Sequence, residues 1–156
     1  MLQQGPLRRS QGRASEVEGV GRHGARVLAV QLLYRYDLTG GSLADVLDVS
    51  WMDPKRREAL SGEAYEFAQQ LVVGSINYMT AVDECIDQQL EHWDMERLSR
   101  VDLAILRMSV YCLLQVRDVP ASVTINEAIE IAKSFGSNDS YRFVNGVLDG
   151  INKRVA

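Results

Sequence analysis

The apolar positions of this chain follow a helical period from about residue 22 to its end. They recur three and four residues apart, whereas a half-buried strand would alternate every second residue. The first predicted helix runs from Arg22 to Leu38, and Gly40-Gly41 stops it. Its core face comprises Ala25, Leu28, Ala29, Leu32, Leu33 and Tyr36. Strand-like alternation persists nowhere, so the pattern predicts an all-α fold with about seven helices.

Start signals organise the middle of the chain. Ser42 with Asp45 opens a short second helix, and Asp53-Pro54 pairs an N-cap acceptor with proline at the first helical position. A long helical stretch is predicted from there to about Trp93. Gly74 is expected to kink or divide it, because glycine is a weak helix former.

The last third of the chain predicts three more helices. Val101 to Val116 is apolar nearly all round, which is typical of the buried centre of a helical bundle. Val119-Pro120 breaks the chain, and Thr124 with Glu127 then has the spacing of a capping box. Residues Ser137 to Asp139 are expected to cap the final helix.

The length and composition indicate an ordinary globular protein. The chain has 156 residues, enough for one domain, with 46% apolar and 24% charged residues. It has no apolar run of about 18 residues and no signal-peptide core, so we expect no membrane association and a cytoplasmic location.

Charge is distributed unevenly along the chain. Residues 1–20 are rich in Gly, Ser, Gln and Arg, and we expect a flexible basic extension there, before a helical domain over residues 21–156. Residues 1–35 carry a net charge of +4, and residues 36–156 carry −8. A basic arm on an acidic body favours an anionic partner, although a solvated tail accounts for the charge equally well.

The sequence offers no argument for catalysis. Gly19 to Gly24 matches the G-x-G-x-x-G dinucleotide motif, but no strand precedes it and helix follows it. His23 and His92 lack the partners that a metal site or a catalytic triad needs. Glu127 and Glu130 are better explained as a cap partner and a surface charge. We therefore expect no enzyme activity, no metal and no cofactor.

Two segments are candidates for nucleic-acid binding. Arg26, Val30 and Tyr34 lie at four-residue spacing beside the core face of the first helix, with Arg22 near its start. Arginines bind phosphates and exposed rings stack on unpaired bases. On the stripe alone, a snorkelling arginine beside a half-buried tyrosine is the preferred explanation.

The second segment is the turn that follows Lys133. Its backbone amides lie at the start of a helix, which suits a phosphate. A phenylalanine at the position of Phe135 more commonly packs beneath such a turn. Phe143, one turn into the last helix, lies off the centre of the core stripe and is expected to be partly exposed.

Four stretches of the sequence resemble those of one family. INEAIEIAKSFG (Ile125–Gly136) is followed after a short break by YRFVNGVLD (Tyr141–Asp149). ARVLAVQLLY (Ala25–Tyr34) and VDLAILR (Val101–Arg107) add matches nearer the start. Together they resemble the NusB family of bacterial transcription antitermination factors. The resemblance implies two three-helix bundles in one compact domain without enzymatic activity. It also implies binding to boxA, a single-stranded RNA element of ribosomal-RNA leaders. NusE, a ribosomal protein, would be the protein partner within an antitermination complex on RNA polymerase.

The same resemblance implies roles for individual residues. Asp102 falls at the expected contact with NusE. The expected RNA-binding residues are Arg22, His23, Arg26, Tyr34, Phe135, Gly136, Asp139 and Phe143.

Some features of the sequence depart from the family pattern. The family has a run of consecutive arginines, which is reduced here to Arg22-His23-Gly24. This reduction leaves an alternative function open, namely a scaffold that binds only protein. A module of the kind fused to ribosomal-RNA methyltransferases is a further alternative, but it would need a catalytic domain beyond Ala156. The oligomeric state, a homodimer included, is open on the sequence.

Overall fold

The computed structural model describes residues 21–60, 62–91 and 94–156. Within these residues it contains eight α-helices and one 3₁₀ turn, Met95–Arg97. The helices are α1 (Arg22–Thr39), α2 (Leu43–Leu47), α3 (Pro54–Ala59), α4 (Gly62–Asn77), α5 (Met79–Gln89), α6 (Arg100–Gln115), α7 (Ala121–Phe135) and α8 (Ser140–Val155). The all-α prediction is confirmed. The expected basic extension over residues 1–20 and His92 lie outside the described residues.

Local signals account for the first helix boundaries. Gly40 ends α1 with φ of +67°, a conformation that glycine adopts without steric cost. Ser42 and Asp45 form the predicted capping box, in which each side chain accepts from the other residue's backbone N–H. The Asp53 carboxylate accepts from the Lys55 backbone N–H, which caps the start of α3.

Helix α6 lies at the centre of the fold, as its apolar sequence predicts. Eleven of its 16 residues are buried. It packs with α1 and α4 in one group and with α7 and α8 in a second, and α5 contacts both α6 and α8. One buried helix thus joins two three-helix groups.

An ion-pair network supports this centre. The Arg107 guanidinium on α6 donates two hydrogen bonds of 3.0 Å to the Asp83 carboxylate on α5. It also lies 3.4 Å from the Asp37 carboxylate on α1. Arg100, at the start of α6, donates to Asp37 at 2.7 Å. The charges on an otherwise apolar helix therefore connect it to two neighbours.

The long middle stretch is not divided at Gly74, so that alternative of the prediction is wrong. The stretch is divided between Ala59 and Gly62 and at Tyr78, and α4 runs through Gly74. A Cβ at Gly74 would lie 2.0 Å from Cζ of Tyr111 on α6. Glycine is needed at position 74 so that the Tyr111 ring can pack against α4. The middle stretch contains three helices, so the described residues contain eight helices where about seven were predicted.

Two predicted caps are also wrong. Helix α7 begins at Ala121, one turn earlier than the proposed Thr124–Glu127 box, because Pro120 serves as its N-cap. Thr124 is therefore inside the helix and buried. At the start of α8 the Asp139 side chain makes no capping hydrogen bond. Instead the Ser140 hydroxyl accepts from the Ser137 backbone N–H at 2.9 Å.

The close contact at Gly74 predicts the stability of two alanine variants. Gly74→Ala should lower the free energy of unfolding by about 1–3 kcal/mol, since the new methyl group overpacks against Tyr111. Gly146→Ala is the matched control, because a Cβ there meets no atom within 4 Å and alanine favours helix. Urea denaturation of both variants measures the difference. Equal stability of Gly74→Ala and the native protein would contradict the packing.

Candidate nucleic-acid interface

The first turn of α1 contacts α7 through a hydrogen bond between two side chains. His23 Nδ1 lies 2.5 Å from Glu127 Oε2, and the two residues are 104 positions apart in the chain. The Glu127 side chain is only 18% exposed. This carboxylate was predicted to cap its own helix; it instead positions the His23 ring, which retains 37% of its exposure.

The two α1 arginines predicted to contact RNA occupy different environments. The guanidinium carbons of Arg22 and Arg26 lie 4.5 Å and 5.3 Å from the ring centroid of Phe67 on α4. Arg26 is only 2% exposed, whereas Arg22 is half-buried. The interior placement of Arg26 makes it a support for Phe67 and the start of α1 rather than an open phosphate contact in this conformation.

The turn between α7 and α8 presents an aromatic ring to solvent. Phe135 is 48% exposed, contrary to the usual packing of such a residue beneath its turn. Gly136 lets the turn close, since a Cβ there would lie 2.5 Å from the Ser140 side chain and 2.8 Å from the Ala132 carbonyl oxygen. Asp139 is exposed beside them. The turn thus holds Phe135 at the surface next to α1.

A groove runs along α1 beneath Phe135. It consists of two hollows, of about 540 and 270 Å³, that share the side chains of Val27, Gln31 and Phe135. The larger is otherwise lined by Gly21, Gly24, Arg56, Ala59, Leu60 and Ala64. The smaller is otherwise lined by Val30, Tyr34, Arg35, Trp51 and Val101. We call these lining residues together the α1 groove.

The loop between α2 and α3 supplies the tryptophan of the α1 groove. Trp51 is 40% exposed, and its indole N–H donates to the Asp48 carbonyl oxygen at 2.9 Å. The Arg35 guanidinium lies over this ring, 4.8 Å from its centroid. The Asp48 carboxylate accepts a hydrogen bond from the Ser50 backbone N–H within this loop. Hydrogen bonds from Ser50 lower the pKa of the Asp48 carboxyl group.

Phe143 and Asp102 lie away from the centre of the groove. Phe143 is half-buried and borders a different depression of about 340 Å³, together with Leu90 and Gly146. Asp102 is 9% exposed in the first turn of α6, and its Oδ1 has no hydrogen-bond partner among the described residues. Its neighbour Val101 lines the groove, and Asp102 itself is not among the lining residues.

Metal sites and membrane-spanning helices have requirements that the described part of the chain does not meet. No group of three or more His, Cys, Asp or Glu side chains there is arranged to hold a metal ion. No helix there combines the length and the apolar composition needed to cross a membrane. Burial raises the pKa of the Cys112 thiol to about 12, which keeps it protonated and unreactive at neutral pH.

Comparison with known proteins identifies the family and the fold. The sequence profile of the NusB family matches residues 23–153. The chain belongs to the NusB family. It is 42% identical over 134 residues to the transcription antitermination protein NusB of Treponema pallidum strain Nichols, covering 86% of this chain and 94% of that protein. It is 45% identical over 130 residues to the NusB protein of Bacillus cereus strain B4264, covering 83% and 95%.

Solved NusB structures share the fold. NusB from T. maritima superposes with a TM-score of 0.75 at 36% identity, over 85% of this chain and 90% of that one. The antitermination factors NusB and NusE have been crystallised in complex with double-stranded RNA. A chain of that complex matches with a TM-score of 0.72 at 26% identity, over 85% of this chain and 96% of that one.

The structure groups only part of the residues predicted for this NusB-family site. Tyr34 and Phe135 line the α1 groove. Gly136 adjoins Phe135, and His23 is tied to α7 nearby. Phe143 lies in a separate depression, and Arg26 is interior. The sequence prediction did not include four residues that line the groove: Gln31, Arg35, Trp51 and Arg56. The signal in the sequence was Trp51, an aromatic residue in a short loop.

The interior position of Arg26 leads to a stability prediction. Arg26→Ala should lower the free energy of unfolding by about 2 kcal/mol, because it removes a buried side chain packed on Phe67. Arg97→Ala, an exposed arginine in the 3₁₀ turn, should change it by less than about 0.5 kcal/mol. Thermal or urea denaturation distinguishes them. An Arg26→Ala protein as stable as the control would place Arg26 at the surface instead.

Proposed function

We propose that this protein is a transcription antitermination factor that binds boxA-type single-stranded RNA together with NusE, within an antitermination complex on RNA polymerase. The observation that carries the proposal is an exposed aromatic surface beside α1, in a chain of the NusB family. The RNA-binding residues we propose are Arg22, His23, Arg26, Tyr34, Phe135, Gly136, Asp139 and Phe143. Arg26 would act from beneath, by holding the first turn of α1.

Single-stranded RNA is the ligand that the exposed rings favour. Base pairs in a duplex keep their faces stacked on one another, so a protein ring reaches a base face only in an unpaired strand. Tyr34 and Phe135 line one hollow, and Phe135 is 48% exposed. Arg22 and His23 add donors for phosphate oxygens at the start of α1. These groups together suit the backbone and the bases of one strand.

We infer that the protein has no catalytic activity of its own and works in the cytoplasm. Its relatives carry the name transcription antitermination protein and are matched over 94% or more of their length in the two Treponema species. That coverage favours an antitermination factor over a module of ribosomal-RNA methyltransferases. A scaffold that binds only protein would not bind a boxA-type RNA, so the RNA titrations below separate it from the proposed function.

Arg22 provides the test of phosphate binding. Arg22→Gln should weaken binding of a boxA-type RNA and reduce the slope of log affinity against log salt by about one, because one phosphate contact is lost. Arg117→Gln is the control, since Arg117 is exposed in the loop between α6 and α7. Fluorescence anisotropy at four salt concentrations gives both slopes. An unchanged slope for Arg22→Gln would remove this residue from the interface.

Asp102 is the proposed anchor for NusE. Residues 36–156 of this protein carry a net charge of −8, which repels RNA. The protein alone should therefore bind RNA weakly at physiological salt. A basic partner on that body would reduce the repulsion, and RNA and NusE should each tighten the other's binding by the same factor. Asp102→Asn should reduce this coupling, because it removes the negative charge that the partly accessible Asp102 carboxylate offers to a basic partner.

The coupling is measured by titrating RNA with and without NusE, for native protein and for Asp102→Asn. Asp94→Asn serves as the control, since Asp94 is an exposed carboxylate in the loop before α6. Absence of tightening by NusE would contradict cooperative binding. Equal coupling in native protein and Asp102→Asn would contradict the anchor alone.

A further inference from the structure

The α1 groove is lined in part by basic side chains, although this protein carries a net negative charge. Its lining residues include two arginines, Arg35 and Arg56, and no carboxylate. Residues 36–156 by contrast carry 19 acidic and 11 basic residues. A groove without carboxylates on an acidic body attracts an anionic ligand and disfavours a basic protein segment.

We propose that the α1 groove extends the RNA-binding surface to Trp51, whose ring stacks on an unpaired base while Arg35 and Arg56 contact the flanking phosphates. This inference rests on the proposed function. It adds a base-binding site built by the α2–α3 loop and α3 to the residues of α1, α7 and α8. The ligand is one single-stranded RNA segment that continues past Phe135.

The aromatic side chains are arranged for stacking. Phe135 and Trp51 line the same hollow of about 270 Å³, and they are 48% and 40% exposed. The orientation of the Trp51 ring is favoured by two contacts, the hydrogen bond of 2.9 Å from its indole N–H to the Asp48 carbonyl oxygen and the Arg35 guanidinium over its face. A ring held in place before the ligand arrives loses little conformational entropy on binding.

The two arginines flank this hollow at positions set by other side chains. Arg35 is exposed and its guanidinium lies over the Trp51 ring, where it extends the stacking surface and can donate to a phosphate. Arg56 donates to the Gln31 side-chain oxygen at 2.6 Å, and it lines the neighbouring hollow. Phosphate contacts on either side of a stacked base are typical of sites for single-stranded nucleic acids.

The test is the affinity of the full chain for a single-stranded boxA-type 12-nucleotide RNA. Trp51→Leu should weaken binding roughly tenfold, the order of one base–aromatic stack, and Trp51→Phe should keep most of the affinity. Arg56→Gln should weaken binding and lower the salt slope by about one. Tyr78→Leu and Arg117→Gln are matched controls, since Tyr78 is 44% exposed and neither residue lines the groove.

Fluorescence gives a second readout that leaves position 51 intact. The chain has two tryptophans, so Trp93→Phe makes Trp51 the only indole. Its emission should be quenched as RNA binds, with the same saturation as the anisotropy signal. Unchanged emission at RNA saturation would overturn the proposal, whatever the stability of the Trp51→Leu protein.

The outcomes separate this site from the proposed function. If native protein fails to bind the RNA, the proposed function fails and this site with it. If native protein binds and Trp51→Leu binds equally well, only the Trp51 site is overturned. If Trp51→Leu keeps its RNA affinity but loses the tightening by NusE, the groove is a protein-binding surface, which also overturns the proposal.

Discussion

The burial of α6 on nearly all sides is the constraint on which the rest of the fold depends. A helix that is apolar all round is stable in water only when neighbours cover every face. Five helices contact it, and the charged Arg107 reaches the carboxylates of Asp37 and Asp83 on two of them. The orientation of α1 follows from this, because it is held between α4 and α6.

That orientation determines what α1 presents to solvent. Its inner face enters the core, and its first turn is held by Glu127 on α7 and packs against Phe67 on α4. One flank remains open and forms the α1 groove with the α2–α3 loop, α3 and Phe135. Arg22, Arg26 and Arg35 therefore lie on the same helix as the groove, whereas the acidic excess belongs to residues 36–156. This separation of charge suits a protein that binds an anionic strand at one surface and a basic partner elsewhere.

Features determined by neighbouring residues were predictable from the sequence. The capping box of Ser42 and Asp45, the glycine stop after α1 and the buried α6 each depend on a short segment of chain. The family resemblance added the candidate surface, through matching blocks towards both ends of the chain. Features that depend on contacts across the fold were missed. Gly74 is required by the ring of Tyr111, and Glu127 pairs with a histidine 104 positions away.

The same distinction explains the errors at the candidate site. Helical spacing placed Arg26 beside the core face, but the ring of Phe67 on another helix draws it into the interior. Trp51 carried no periodic signal, and only the fold places it in one hollow with Tyr34 and Phe135. A groove formed by four separate segments has no signature in any one of them.

Amide hydrogen exchange with and without saturating boxA-type single-stranded RNA tests the central claim, that RNA occupies the surface beside α1. Exchange should slow in three segments of the described chain: the first turns of α1, the loop from Asp48 into α3, and the turn from Phe135 to Ser140. The segments are distant in sequence, so joint protection is expected only if one ligand spans the groove. Unchanged exchange in all three at RNA saturation, with slowing confined to α5 and the end of α8, would contradict the account.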